Sequence, residues 1–337
     1  MSEIGTTNTG GNRPAVLVAG GAGYIGAQTC KALHRAGFLP VTLDNLSKGY
    51  APQVKWGPLH QGDLRDTQLV KDLVKQYGIV GALHFAAFIE VGESVRDPLK
   101  YWDNNTSAAC AFAGALIEAG VQAFLFSSTA AVYGTPQFSP IPESHPTNPI
   151  NPYGWTKLVF ERALADFGAA YPFRWTALRY FNAAGADLDG EIGESHEPES
   201  HLIPLAAQAA LGRGKPLTVF GDDYDTPDGT PIRDYIHVVD LAEAHVEALR
   251  RLIDGGENLI LNVGTGSGHT VLEVLQAADR ISGGKVPYSV GPRRAGDPPA
   301  LVADASEIRR RFSWRPQHSD LETILRTAWR WQTERPY

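Results

Sequence analysis

Cysteine is scarce in this chain, with only Cys30 and Cys110 among 337 residues. Both fall in segments that read as helices, and neither has metal-ligand spacing. That excludes a disulfide framework and a thiolate metal centre, and it fits a reducing cytoplasm. No resident metal is expected. Long hydrophobic runs are missing too: no stretch reaches the roughly 18 apolar residues that would span a bilayer. Positive charge is in deficit, 30 Lys and Arg against 37 Asp and Glu, for a net charge of -7. A surface for nucleic acid or an anionic membrane is therefore not expected, and an anionic ligand must be met by locally placed basic residues. Residues 1–13 are polar and rich in Gly, Thr and Asn, without the apolar core of a signal peptide, and read as a loose tail.

What the sequence does have is alternation. Short apolar runs at 15–19, 40–43, 59–61, 82–86, 123–127 and 176–181 are separated by helical patterns over 24–36, 67–77, 98–119 and 152–170. This rhythm predicts an α/β fold built on a doubly wound parallel sheet. After Asn182 it breaks into Gly/Pro/Asp-rich loops at 190–201 and 221–230, of the kind that cover a ligand. A helix over 239–252 and a strand over 258–263 would rejoin the first lobe. The expected division is thus a cofactor-binding lobe of residues 14–182 plus about 238–263, and a smaller mixed α/β substrate lobe of 183–237 plus about 264–337.

The turn after the first strand reads Gly20-Gly21-Ala22-Gly23-Tyr24-Ile25-Gly26. Glycines there let the backbone approach a pyrophosphate, and a helix starting near Tyr24 directs its amide dipole at that charge. Asp44 closes the second strand about 20 residues on, where it can accept from both ribose hydroxyls of an adenosine and repel a 2'-phosphate, favouring NAD over NADP. Lys48 lies nearby. Asp63 has the placement of an adenine-amine acceptor, or caps the next helix. Ala86-Ala87 gives small walls beside a cofactor, or plain strand-end packing.

Tyr153 and Lys157 stand at i and i+4 of one predicted helix, on one face about a turn apart. A phenol ionises near pH 10, so a tyrosine base working near 7 needs about 3 units, roughly 4 kcal/mol, of preferential phenolate stabilisation. The Lys157 ammonium and a cationic nicotinamide can supply it. With the hydroxyl cluster Ser127-Ser128-Thr129 upstream, these residues point to hydride chemistry on a nicotinamide.

Through the glycine turn, the Tyr153/Lys157 pair and that cluster, almost the whole chain resembles the extended short-chain dehydrogenase/reductase family. The resemblance implies a Rossmann sheet and a tyrosinate that takes the proton of a sugar hydroxyl as hydride passes to NAD. Members that eliminate water or carbon dioxide carry acidic groups just before Val-Tyr-Gly. This chain has Ala130-Ala131-Val132-Tyr133-Gly134, which leaves return of the hydride to the other face of a 4-ketose. The segments 220–230, 232–237 and 292–297 are similar to those of sugar-nucleotide 4-epimerases in the family, implying a UDP-sugar substrate. UDP-glucose and UDP-galactose would dominate, with UDP-N-acetylhexosamines weak and UDP-pentoses not excluded.

Carried over by position, Tyr153 is the general base and acid, Lys157 tunes it and binds the nicotinamide ribose, and Thr129 hydrogen-bonds the sugar O4, with Ser128 the substitute if Thr129 merely caps. Gly20, Gly23, Tyr24, Ile25, Gly26, Asp44, Asn45, Asp63, Leu64, Phe85, Ala86, Ala87 and Tyr180 would hold NAD. On the substrate side, Arg233 and Arg294 would pair with the diphosphate, where guanidinium forks suit phosphate oxygens. Asn182, His201 and Leu202 would contact phosphate or sugar, Phe220 would stack on uracil, Asp297 would bind the uridine ribose, and Leu301 would gate the sugar pocket. Three residues depart from the commonest pattern: Ala19 for Thr, His201 for Asn, and Ile89 for Lys. The resemblance also implies a homodimer, with helices from Pro98 and Pro152 pairing as a four-helix bundle through Ala108, Ala111 and Ala115; burial against the chain's own second lobe is the alternative. Galactose breakdown and polysaccharide precursor supply both need such a reaction. A net oxidoreductase and a non-catalytic NAD-binding sensor remain open.

Overall fold

The computed structural model describes residues 13–294 and 297–334; apart from Arg13, the tail lies outside them. Seven strands form one parallel sheet: β1 (Ala15–Ala19), β2 (Leu39–Asp44), β3 (Leu59–Gln61), β4 (Ile79–His84), β5 (Ala123–Thr129), β6 (Arg174–Tyr180) and, returning from far along the chain, β10 (Leu259–Val263). Their order is β10-β6-β5-β4-β1-β2-β3. Strand order therefore reverses between β1 and β4, which opens a crevice at the carboxyl ends of those two strands. Both faces are covered, so the central strands are apolar throughout, as in the fully buried AVLVA of β1.

Helix α1 (Tyr24–Arg35) packs with α8 (Val238–Ile253) on one face of the sheet. The opposite face carries α2 (Thr67–Tyr77), a rod comprising α4 (Pro98–Tyr101), a π-helical stretch Trp102–Ala108 and α5 (Ala109–Glu118), and α6 (Pro152–Ala170). The rod replaces the uninterrupted helix expected over 98–119. Its π-helical stretch carries Asn105, whose amide donates to Phe88 O at 2.8 Å and accepts from Phe88 N at 2.9 Å. That clamp pins the segment leaving β4, consistent with the tendency of π-turns to fall near functional sites. A short α3 (Val91–Arg96), not anticipated from the sequence, precedes it.

The remaining strands form smaller sheets. β7 (Asn182–Ala184) pairs with β9 (Ile232–His237), which also pairs with β11 (Gly268–Thr270) and β13 (Ala300–Leu301); β8 (Leu217–Phe220) pairs with β12 (Tyr288–Gly291). Helices α7 (Leu202–Ala210), α9 (Val271–Ser282) and α11 (Leu321–Glu334) enclose a separate core around Ile203, Val274 and Ile324, while α10 (Ser306–Arg311) packs back on the main sheet through Ile308. Cys30 and Cys110 are helical and unpaired. Among the described residues no helix is long and apolar enough to cross a membrane.

Candidate active site

A cavity of about 350 Å³ opens at the β1/β4 switch point. Its floor is the glycine turn. Gly20 has φ +81°, and a Cβ there would lie 2.5 Å from Ala86 N; at Gly26 a Cβ would lie 2.1 Å from Gly20 O. Both glycines are thus forced by contacts inside the protein. Gly23 differs: a Cβ would meet nothing nearer than 3.4 Å, although the residue lines the cavity. It caps α1 without a side chain, leaving the first-turn amides free of a side-chain acceptor. An open cradle at a helix N-terminus suits a pyrophosphate. Ala19 lends its carbonyl to Phe85 N and Ala86 N at 2.8 and 3.2 Å, which draws the two strand ends together.

Asp44 ends β2, and its carboxylate accepts from Ala22 N at 3.0 Å and Leu46 N at 2.8 Å. Burial lifts its pKa, against those two amides. Asp63 accepts from Asn45 Nδ2 at 3.1 Å and from Arg65. These donors outweigh burial and hold its carboxyl below the usual range. Tyr24, Ile25, Leu64, Phe85, Ala86, Ala87 and Tyr180 also line the cavity, so it holds every residue expected to contact NAD. Ile89 lies on its wall, as do Lys48 and Glu90, which sequence reasoning did not assign.

At the far end of the cavity stand Thr129, Tyr153 and Lys157. Asn151 caps α6 by accepting from Gly154 N at 2.9 Å, with Pro152 as its first residue, so Tyr153 lies in the first turn and Lys157 follows one turn later. Lys157 Nζ donates to Ser127 O at 2.8 Å and lies 4.9 Å from the Phe126 ring centroid. Burial pushes its pKa down to about 7, with Glu161 opposing. The Tyr153 phenol is pushed above its ordinary value by burial, and the hydrogen bond with Thr129 is what opposes this. Thr129 caps the following 3-10 turn, its oxygen accepting from Ala131 N at 3.1 Å, so its proton remains available to Tyr153.

Ser128 is turned away. Successive side chains of a strand face opposite sides, and Ser128 Oγ donates to Glu161 Oε1 at 2.5 Å beneath the sheet. Glu161 also takes a two-point contact from Arg179, 2.9 and 2.5 Å, with both side chains almost fully buried. Arg179 reaches Tyr133 OH at 3.1 Å, which donates to Asn262 Oδ1 at 2.7 Å. This network underlies Lys157 and removes Ser128 from any contact with a substrate in the cavity.

Asn182 and His201 line the cavity, whereas Leu202, Phe220, Arg233, Arg294, Asp297 and Leu301 do not. Leu202 packs on the core beneath α7. The others gather around β8, β9 and β13: the Arg294 guanidinium sits 4.0 Å from the Phe220 ring centroid, Arg233 is ion-paired with Asp297, and Leu301 lies beside Arg233 in register. The faces expected to meet uracil, ribose and diphosphate are therefore engaged with one another. Leu301 also packs against the Ala130/Val132/Tyr133 cluster that follows Thr129. Of the motif at 292–297, Ala295 and Gly296 lie outside the described residues.

His201 is not a free donor. It lies in the cavity wall with Glu194 and His196, and Glu199 closes on the same cluster from behind; sequence reasoning missed all three although Glu-x-His occurs twice, five residues apart. Burial favours neutral imidazoles, but the two carboxylates outweigh it, lifting His196 to about 9 and His201 well above its usual value.

A family model described as NAD dependent epimerase/dehydratase family matches residues 16–264. The UDP-glucose 4-epimerase of Rhizobium meliloti (strain 1021) is 51% identical over 95% of this chain and 97% of its own length. Among solved structures, the UDP-glucose 4-epimerase from Brucella ovis in complex with NAD superposes with a TM-score of 0.92 at 50% identity, covering 94% of this chain and 97% of that one. The enzyme from Stenotrophomonas maltophila with bound NAD and formylated UDP-arabinopyranose gives 0.92 at 43% identity, with coverages of 95% and 98%.

Proposed function

We propose that this chain, which belongs to the NAD dependent epimerase/dehydratase family, interconverts UDP-galactose and UDP-glucose through a transient 4-ketose. The observation that carries this reading is Tyr153 against Thr129 at the end of the cavity that the glycine turn opens, followed by Ala130 and Ala131 where an elimination would need an acid. When bound, NAD would supply a reversible acceptor for the hydride of the sugar C4. The open turn at Gly23 and the carboxylates of Asp44 and Asp63 are the residues that would hold it.

The remaining chemistry belongs to side chains. Tyr153 takes the proton of the 4-hydroxyl and later returns it. Thr129, whose oxygen already accepts from Ala131 N, can pass its own proton between the phenol and the sugar oxygen on either face. Lys157, held on Ser127 O above the Glu161–Arg179 pair, keeps an ammonium near the phenolate as it forms. Residues 183–237 with 264–337 would form the UDP-sugar lobe, Arg233 and Arg294 exchanging Asp297 and Phe220 for the nucleotide, with residues 14–182 and 238–263 as the NAD lobe; the sheet membership of β10 supports that division. A homodimer through the helices from Pro98 and Pro152 is supported by apolar side chains left on that surface, Leu99 being 77% and Trp155 41% exposed. A cytoplasmic place in galactose or polysaccharide precursor metabolism follows from the same reading.

The test is incubation with UDP-galactose and no added cofactor. Conversion to UDP-glucose without accumulating NADH is expected. Steady NADH release would make the chain a net oxidoreductase, and no conversion of any UDP-sugar even with added NAD would leave the sensor.

A further inference from the structure

The wall of the cavity between Gly193 and His201 has no helix, yet its side chains converge on one point. Its sequence is Glu194-Ser195-His196-Glu197-Pro198-Glu199-Ser200-His201. Glu194, His196, Glu199 and His201 each offer a ligand atom, and the four atoms lie within 4.8 Å of one another. His196 Nδ1 is 3.3 Å from Glu194 Oε1 and 3.7 Å from Glu199 Oε1. His201 Nδ1 is 2.7 and 3.4 Å from the same two oxygens. For a tetrahedral ion with bonds of about 2.0–2.2 Å, ligand atoms are separated by roughly 3.3–3.6 Å. Three of the four separations, 3.3, 3.7 and 3.4 Å, lie at or near that edge length, and the His201–Glu194 pair at 2.7 Å is shorter.

Plain ion pairing accounts for this geometry poorly. An imidazolium N–H has one direction and would aim at one oxygen. Both Nδ1 atoms are buried, and neither meets hydrogen-bond geometry with any acceptor. A divalent cation would balance the two carboxylates with both imidazoles neutral and their lone pairs pointing inward. The surroundings also hold the ligands still: Glu199 Oε1 accepts from Ser200 N at 2.8 Å and His201 N at 2.9 Å, and Trp331 Nε1 donates to Glu194 O at 3.0 Å. Such outer contacts are what orient metal ligands. The other group of carboxylates among the described residues, Asp187, Asp189 and Glu191, makes a contrast, because Lys31 Nζ already sits 2.6–2.8 Å from all three.

We propose that Glu194, His196, Glu199 and His201 bind one divalent transition cation, Zn²⁺ by the character of the ligand set. Four protein ligands leave no open position, so the ion is structural. It ties residues 194–201 into a closed loop in the wall of the cofactor cavity. It also withdraws His201 from the substrate phosphates, which gives a physical role to a histidine standing where the resemblance has asparagine.

The test uses untagged full-length protein, stripped with a chelator, reloaded with Zn²⁺, desalted and assayed for metal. About one zinc per chain should be retained. His196→Ala and Glu199→Gln should each lower retention at least about tenfold, with far-UV circular dichroism reporting whether they fold. X-ray absorption of the zinc-loaded wild type needs no variant and should show two imidazoles and two carboxylate oxygens. Failure of the wild type to retain zinc, retention unchanged in folded His196→Ala, or a coordination shell lacking imidazole would each overturn the proposal. Because these readouts are of metal rather than turnover, they stand or fall separately from the epimerase reading.

Discussion

Substituting alanine at Gly23 and at Gly26 should damage two different things. At Gly26 the new Cβ would lie 2.1 Å from Gly20 O, 2.9 Å from Gly20 C and 3.0 Å from Gly21 Cα, all backbone atoms. Reaching an ordinary 3.4 Å contact requires the turn and helix to part by 1.3 Å, the difference between 3.4 and 2.1. Overpacking of this kind costs about 1–3 kcal/mol, offset in part by the ~0.5–1 kcal/mol that alanine gains over glycine in a helix. Gly26→Ala should therefore lose about 1–2 kcal/mol in urea unfolding of cofactor-stripped protein. At Gly23 the backbone is extended, with φ -82° and ψ 173°, and the Cβ meets nothing closer than 3.4 Å. Stability should stay within about 1 kcal/mol of wild type, while NAD recovered from the purified protein should fall at least about tenfold because the methyl occupies the cradle. Wild-type NAD content in Gly23→Ala would refute the placement of the pyrophosphate, and wild-type stability in Gly26→Ala would refute the steric reading of the turn.

Further expectations follow from the buried charges. Glu161→Gln leaves the Arg179 guanidinium buried beside a neutral partner and should cost about 3–5 kcal/mol in urea unfolding; a loss under about 1 kcal/mol would mean the pair is replaceable. Lys157 titrates near 7 when folded and near 10.5 when unfolded, so between those values the unfolded chain binds more protons. Stability of the stripped protein should thus rise with pH across that window, by up to about 1.4 kcal/mol per unit. Lys157→Met should flatten the profile; an unchanged slope counts against a buried, easily neutralised lysine. Tyr153→Phe should cut turnover by about 10²–10⁴-fold or more with NAD content unchanged, and undiminished turnover would exclude Tyr153 as the base.

The parallel sheet was legible because its period switches cleanly. The apolar block at 15–19, the glycine turn and the amphipathic 24–36 leave one reading, and β1 and α1 fall within a residue of the expected ends. The rhythm breaks at Asn182, and there the chain departs from the main sheet as β7 pairs with β9. Properties created by burial were not legible. Nothing local distinguishes Ser128 from Thr129; only the strand's alternation aims one at Glu161 and the other at Tyr153. The i, i+4 spacing put Lys157 beneath Tyr153 but could not reveal that desolvation governs both pKa values. The π-helical turn at Trp102–Ala108 leaves no compositional mark. The Glu-x-His repeat does leave a mark, but its spacing alone does not show that both carboxylates and both imidazoles turn toward one point.

Offering UDP-galactose that carries deuterium at C4, in ordinary water without added cofactor, tests the central claim most directly. A hydride removed and returned inside one closed site requires the product UDP-glucose to keep the label at C4. Product whose C4 label has exchanged with solvent would contradict the account.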